Sequence, residues 1–422
     1  MYKTIGTMIC LIQHKNSIRT IINRDTLTIC FLAFNNDFYN GIITPIATLY
    51  FLSLGASFTF IGTLVSIQSF LYILFALPFG TYSDRKGRKF PVIFSYITSS
   101  ISNVFYSLAT SFYHLLPVKI FQSFGTTAYG SSFQAYIADV TERTRLDEVI
   151  GLYMVSMGLG VITGPLVSGW VVSGWGYRTA YLLASSIALV GLLVGFFGLR
   201  SGVVTGLRSG VRPDKTTQEA RERPNLIKSL KTIFRNPLLL SALILNSMNQ
   251  LAYALILEYF PAYSRNVGFT VVEIGSLFFI RGIFTTVIRF PISLLGKRVG
   301  NKTVMIFSLI GSIIGLFLLP YFQDFRSLAV MMAIQGACFG AFLASYMAYL
   351  FKMIDASQRG ITLATNNIFS QTLSMLYGPL RGSVADAVGV GSGFPFMASI
   401  CTVGTAISFI ISSRRVSTRI KR

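Results

Sequence analysis

The feature that most constrains this chain is a succession of apolar stretches, each about as long as a bilayer-crossing helix. Such a helix needs about 20 apolar residues. Only 12% of the residues are charged, against roughly 25% in a soluble domain, which excludes a disordered chain and a soluble enzyme with a polar surface. The sequence therefore predicts an all-α polytopic membrane protein with twelve transmembrane helices, at residues 27–51, 59–82, 90–109, 115–138, 149–172, 179–199, 238–263, 271–295, 303–321, 327–351, 359–385 and 394–412.

A polar stretch between Leu199 and Pro237 contains nine Lys or Arg and divides the spans into two groups of six. It is the one long linker between predicted spans. We therefore predict five segments: an N-terminal tail, a first six-helix bundle, a linker, a second six-helix bundle and a basic C-terminal tail. Their bounds are 1–26, 27–199, 200–237, 238–412 and 413–422.

The Lys and Arg residues are distributed unevenly between alternate loops. If the N-terminus is cytoplasmic, 29 of the 36 Lys and Arg fall in inner segments and three fall in outer loops, at Arg178, Arg265 and Arg326. Cytoplasmic loops carry an excess of Lys and Arg, so this bias predicts a cell-membrane protein with both termini inside. We interpret residues 1–24 as a cytoplasmic tail in preference to a signal peptide, because no convincing cleavage site precedes the first span.

The two halves align with each other at a nearly constant offset. Because each half has six spans, both halves enter the membrane in the same direction, which predicts a parallel repeat. A generic similarity between apolar helices is the alternative. A shift of 213 places Asn36 on Asn249, Gly62 on Gly275 and Pro78 on Pro291, and a shift of 214 places Gly164-Pro165 on Gly378-Pro379.

The loop between spans 2 and 3 carries the most specific motif, Gly80-Thr-Tyr-Ser-Asp84-Arg85-Lys86-Gly87-Arg88-Lys89. Gly80 permits close helix approach and Gly87 permits a tight turn. Asp84 is a candidate conformational latch that pairs across the cytoplasmic face or caps a helix N-terminus, together with Arg85 and Arg88. A basic anchoring loop is the alternative.

This loop resembles the G-x-x-x-D-R-x-G-R-[KR] signature of the major facilitator superfamily. The resemblance implies a secondary transporter with two six-helix bundles and a central substrate site. The second half carries a degraded copy in which Lys297 replaces Asp84.

Span 5 contains Gly160, Gly164 and Pro165 within a run of small residues. Small residues let helices pack closely, and the proline adds a kink. The run resembles the G-x-x-x-G-P motif of proton-coupled efflux members of the superfamily, with ordinary helix packing as the alternative. Span 4 carries Lys119-Ile-Phe-Gln122-Ser123, which is similar to the family's R-x-x-Q-G, with a lysine that can lose its proton in place of an arginine.

Charged residues inside a bilayer are functional candidates by default. Asp37, flanked by Asn36 and Asn40, is the clearest and is expected to be the only carboxylate well inside the membrane. We predict a role in proton coupling or substrate binding, with a structural pair to Lys119 as the alternative. In the second half, Asn249, Gln250, Tyr253 and Arg281 are the matching candidates.

Three further charged residues are assigned with less specific roles. We expect Glu258 to be solvated near the outer end of span 7 and Arg289 to be structural. For Arg381, a functional and a structural role both stay open. The cysteines form no CxxC pair, and only His14 and His114 occur. No metal site, catalytic cluster or cofactor is therefore predicted.

No GxxxxGK[ST] phosphate loop occurs in the chain, so an ion or solute gradient would drive transport. We predict proton-coupled export (antiport) of a small organic solute, and not an enzyme. Uptake of an organic anion or metabolite and a non-transporting membrane receptor remain alternatives. The expected partners are the substrate, protons and the lipid bilayer, with the chain a monomer. The net charge of +21 is assigned to cytoplasmic loops and not to nucleic-acid binding.

Overall fold

A computed structural model describes residues 23–200, 236–354 and 359–420 of the chain, and these residues form helices and short connections without β-strands. Most of the predicted N-terminal tail and of the predicted linker lies outside the described residues. The final helix continues to Ile420, beyond the predicted end of span 12.

The first half is built from six helices and two short 3₁₀ turns. The 3₁₀ turns precede α5 and α6, at Phe112–His114 and Arg143–Arg145. The helices are α1 (Arg24–Ile43), α2 (Ala47–Ser53), α3 (Phe58–Lys86), α4 (Lys89–Leu108), α5 (Leu115–Val140) and α6 (Leu146–Gly198).

The second half begins at the helix that follows the linker. It comprises α7 (Pro237–Val267), α8 (Val271–Val287), α9 (Arg289–Leu295), α10 (Asn301–Leu318), α11 (Phe325–Met353), α12 (Arg359–Val388) and α13 (Val390–Ile420). A π-helical turn at Gly296–Gly300 joins α9 to α10.

These helices account for all twelve predicted spans. Helix α6 has 53 residues, which at 1.5 Å per residue is about 80 Å, or two crossings of a core about 30 Å thick. Its two spans meet at Gly176, whose φ of 82° lies in the left-handed region. Span 1 corresponds to α1 with α2, and span 8 to α8 with α9. The predicted all-α polytopic fold is confirmed.

Six helical stretches within the described ranges are long and apolar enough to cross a membrane by composition alone, and two of these exceed 50 residues. The helices outside this group, including α1 and α12, carry more polar side chains. Because they pack against other helices, those polar groups can lie inside the bundle and not against lipid.

The parallel repeat is visible in the packing of each half. Helix α1 packs on α6 as α7 packs on α13, and α4 packs on α5 as α10 packs on α11. The repeat-related glutamines make equivalent contacts: Gln122 on α5 lies 3.4 Å from the Tyr106 hydroxyl on α4, and Gln335 on α11 accepts from Ser312 on α10 at 3.0 Å. The halves are therefore two copies of one bundle.

We call the end of the bundle that holds the α2–α3 and α7–α8 connections the far face, and the end that holds residues 200 and 236 the linker face. The halves meet where α3 packs against α12 and α6 packs against α8. Described cross-half hydrogen bonds lie between the far face and the middle of the bundle, for example Ser66 to the Met375 carbonyl at 2.6 Å and Ser69 to Gln371 at 2.9 Å. Among the described residues, these cross-half hydrogen bonds close the far face in this structure.

Candidate functional site

Helix α1 is held directly against α6 by the small residues of span 5. A side chain at Gly160 would collide with the backbone of Phe38, and one at Gly164 would collide with the backbone of Gly41. Asn35 adds a hydrogen bond from its Nδ2 to the Ile187 carbonyl at 2.9 Å. The glycines of α6 therefore fix the segment of α1 that carries Asp37.

Asp37 lies on a polar stretch of α1, half-buried together with Asn36 and Asn40. Asn40 donates to the Asn36 carbonyl at 2.7 Å. The Tyr39 hydroxyl lies 2.9 Å from the Asn36 Oδ1 and 3.1 Å from the Ser99 Oγ. The side chain of Asn36 is also a hydrogen-bond partner of Asp37, and an amide of this kind can solvate a carboxylate.

Asp37 forms no ion pair within residues 23–200, 236–354 and 359–420. The alternative of a structural pair with Lys119 is therefore wrong for this structure. The two residues lie at different depths. Lys119 is in the second turn of α5, at the far face. Asp37 lies nearer the middle of span 1, because α2 continues that span beyond the end of α1.

Lys119 instead interacts electrostatically with Glu258 of the second half. Glu258 forms an ion pair with Arg381 at 2.7 Å, and the Arg381 side chain is fully buried while that of Glu258 is 20% exposed. The expectation of a solvated Glu258 is wrong, because α12 presents Arg381 to it. Asp37 is consequently not the only carboxylate inside the bundle.

Arg281 lies against two aromatic rings of the second half. Its guanidinium carbon is 4.7 Å from the ring centroid of Tyr253 and 5.6 Å from that of Phe339. The two rings stack with centroids 4.1 Å apart. Arg281 is 4% exposed, and its Nε has no hydrogen-bond partner among the described residues. Arg289, one helix further along, is half-buried and also faces Tyr253.

Asn249 and Gln250, the repeat partners of Asn36 and Asp37, lie on α7. Asn249 is buried, and neither its Oδ1 nor its Nδ2 has a partner in the described part of the chain. Gln250 is half-buried, and its Oε1 is likewise unpartnered. Unpaired buried amides are costly, so these two side chains keep unused hydrogen-bonding capacity among the described residues.

A polar cluster on α7, α11 and α12 escaped the sequence analysis. Asn246 donates to Asn366 at 3.2 Å, and the Tyr346 hydroxyl donates to the same Asn366 oxygen at 2.7 Å. Ser247 and Ser370 lie 3.1 Å apart. These uncharged residues stand out only when three helices are brought together, so no local pattern could identify them.

The loop that carries the latch motif is organised around Arg88. Arg88 pairs with Asp84 at 2.5 Å and with Asp139 at 2.9 Å, and its side chain is 9% exposed. Gly87 has a φ of 104°, as a tight turn requires. Arg85 is exposed, and a Cβ added at Gly80 would meet no atom of a neighbouring described element within 4 Å. In this structure Asp84 pairs within its own half.

A second aspartate that the sequence analysis did not identify joins the halves at the far face. The Asp386 carboxylate on α12 accepts hydrogen bonds from the amides of Phe58 and Thr59 at 2.9 and 2.8 Å, and from the Thr59 hydroxyl at 2.6 Å. Phe58 and Thr59 begin α3, so a carboxylate of one half caps a helix N-terminus of the other.

The comparisons with known proteins cover nearly the whole chain. A family model described as Major Facilitator Superfamily matches residues 29–272 and 242–421. An uncharacterized MFS-type transporter of Methanocaldococcus jannaschii is 24% identical over 382 residues, covering 88% of this chain and 93% of that protein. Multidrug resistance protein MdtG of Dickeya zeae is 24% identical over 405 residues, covering 92% of this chain and 95% of that protein.

The fold also matches solved structures. A bacterial homolog of the human lysosomal transporter Spinster, in an inward-facing and unoccupied conformation, superposes with a TM-score of 0.74 at 15% identity. The superposition covers 92% of this chain and 96% of that one.

Proposed function

This chain belongs to the Major Facilitator Superfamily, and we propose that it exports a small organic solute across the membrane in exchange for protons, by alternating access. The bundles of residues 27–199 and 238–412 are the two moving bodies, joined by the linker of residues 200–237. Both termini and the linker lie in the cytoplasm, so the linker face is the inner face.

The observation that carries the proposal is the symmetry of the contacts between the halves. A side chain at Gly62 on α3 would collide with the backbone of Gly378 on α12, and one at Gly275 on α8 would collide with the backbone of Pro165 on α6. Gly62 and Gly275 are repeat partners, as are the two Gly-Pro pairs. The two bundles therefore touch through the same contact made twice, which suits rocking about a central axis.

The proposed transport cycle has two end states, and each has its own polar contact. The far-face contacts belong to one state, and the latch motif belongs to the other. Asp386 caps α3 while the far face is closed. Asp84 is exposed and pairs with Arg88 among the described residues, and it lies at the opposite end of the same helix α3. When the linker face closes, Asp84 meets the second half, and the Asp386 contact breaks. Each state thus has its own carboxylate contact.

Asp37 is the proposed coupling carboxylate. It has no cationic partner within the described ranges, in contrast to Glu258, which Arg381 holds. A carboxylate without a fixed counter-ion can be neutralised by a proton as the site changes sides. The polar residues Asn36, Asn40 and Gln250, with Lys119 nearer the far face, line the proposed substrate pathway.

Export is favoured over uptake because relatives such as the one from Dickeya zeae are named multidrug resistance proteins. Inverted membrane vesicles with an inwardly acidic pH gradient test the coupling and the direction together. Addition of a transported solute to wild-type vesicles should dissipate the gradient, which a pH-sensitive dye reports. Asp37→Asn should bind the solute, by thermal shift, and leave the gradient intact.

Glu148→Gln is the matched control, because Glu148 is an exposed carboxylate at the start of α6. It should behave as wild type. Full proton-driven transport by Asp37→Asn would eliminate Asp37 as the coupling site. Solute movement that depends on the solute gradient alone in wild type would eliminate proton coupling.

A further inference from the structure

Arg281 is a buried cation without a counter-ion in the described part of the chain. The ion pairs there use Arg88, Arg145, Arg200 and Arg381, and none involves Arg281. Its guanidinium carbon lies beside the Tyr253–Phe339 ring stack, 4.7 and 5.6 Å from the two ring centroids. Removing an ion from water costs several kcal/mol, and a cation–π contact offsets only part of that cost, about 0.5–2 kcal/mol.

The unpartnered Nε of Arg281 leaves one edge of the guanidinium without an acceptor. A guanidinium edge matches a carboxylate, which accepts two parallel N–H bonds from it. The neighbouring ring stack of Tyr253 and Phe339 supplies no acceptor to that Nε.

The surroundings add positive and not negative charge. Arg289 is a second cation that faces Tyr253, and its Nε is also unpartnered among the described residues. Tyr253 and Arg289 are half-buried, and Arg289 lies nearer the linker face than Arg281 does. Asn249 and Gln250, with unpartnered amide atoms, lie one turn before Tyr253 on α7.

We propose that Arg281 is the anion-binding group of the substrate site, and that the transported solute is an organic carboxylate whose apolar part packs beside the Tyr253–Phe339 stack. This inference rests on the proposed function, because it assigns a substrate class to the transporter. The acid is bound as its anion, with the guanidinium edge donating to both carboxylate oxygens.

Binding is tested on the purified full chain by thermal shift with matched aromatic probes. Benzoate and 1-naphthoate should raise the melting temperature with increasing concentration, whereas benzamide, 1-naphthamide and benzylamine should not, because they lack the anion. Arg281→Gln should abolish the benzoate shift. Arg281→Lys keeps the charge but loses the planar guanidinium that donates two parallel hydrogen bonds. At least tenfold more benzoate should therefore be needed for the same rise in melting temperature. Arg326→Gln, which removes an exposed arginine, should leave the shift unchanged.

The melting temperature without ligand separates a ligand-binding role from a structural one. Arg281 has no counter-ion in the described part of the chain, so its replacement by Gln should leave that melting temperature unchanged or raise it. A marked fall in the melting temperature would overturn the proposal. Equal shifts by benzoate and benzamide, no shift with either carboxylate, or a benzoate shift retained in Arg281→Gln would also overturn it.

Transport is measured separately, so that the two proposals can fail independently. Benzoate binding without solute-driven dissipation of the pH gradient would support the anion site and contradict proton-coupled export. If amines or neutral solutes dissipate the pH gradient and no carboxylate binds, proton-coupled export would be supported and the anion site would be contradicted.

Discussion

Asp386 accepts two hydrogen bonds from Thr59, one from its amide at 2.8 Å and one from its hydroxyl at 2.6 Å. The two residues belong to different halves of the transporter, so this contact exists only while the far face is closed. A hydrogen bond that forms in one state alone shifts the equilibrium between the two states by its own free energy.

Asp386→Asn should therefore shift the population away from the closed far face, since the neutral amide interacts more weakly with the helix N-terminus. Spin-label distances across the far face, in the absence of substrate, should lengthen in the variant. Asp324→Asn is the matched control. Asp324 caps α11 within its own half, with the Ser327 amide 2.8 Å away, and those bonds hold its pKa below the usual range. An unchanged distance distribution in Asp386→Asn would contradict the role in closure.

Asp84→Asn should have the opposite effect and favour the open linker face, because it removes the contact proposed for the other state. The variant should stay folded: Asp84 is 58% exposed and Arg88 retains Asp139, and an exposed pair contributes about 0–1 kcal/mol. Distances across the linker face report the population, and thermal melting reports the fold. No change in the distances would contradict the latch.

Gly160→Ala should destabilise the protein by about 1–3 kcal/mol, the usual range for overpacking a close contact. The added methyl group would meet the backbone of α1 next to Asp37. Gly80→Ala is the matched control, since no atom lies near that position and alanine favours a helix over glycine. Denaturation of the detergent-solubilised protein compares the two. Equal stability of both variants would refute the close α1–α6 contact.

Glu258→Gln should lower the free energy of unfolding by about 3–5 kcal/mol, because it leaves the fully buried Arg381 without its carboxylate. The double variant Glu258→Gln, Arg381→Met removes the orphaned charge and should recover much of the loss. Melting temperatures of the two variants test this. A single variant as stable as wild type would show that solvent or lipid headgroups already screen the pair.

The transmembrane spans were predictable because their apolar length is a local property that the bilayer thickness dictates. The equivalence of the halves was predictable because the offset of 213 recurs across several spans. The same offset placed Gly62 and Gly275 in register, although only the structure shows that these residues join the halves.

The partners of the charged residues were not predictable. The residues of the Asp386–Thr59 contact are 327 positions apart, and those of the Arg381–Glu258 pair are 123 apart. Such pairs depend on the rotation of each helix about its axis, which a small hydrophobic asymmetry does not determine in a helix that is apolar on most sides. For this reason the sequence predicts a solvated Glu258 and leaves Lys119 as a possible ion-pair partner of Asp37.

The glycine contacts between the halves bear on how fast the transporter cycles. Gly62 meets Gly378, and Gly275 meets Pro165, through backbone atoms, so at these two contacts no side chain must change rotamer before the bundles move. The activation barrier of the rearrangement then resides in other contacts between the halves, such as the Asp386 bonds and the Phe58–Tyr259 ring stack. A bulkier residue at either glycine would collide with the backbone of the other half, and would thereby slow turnover and shift the balance between the two states.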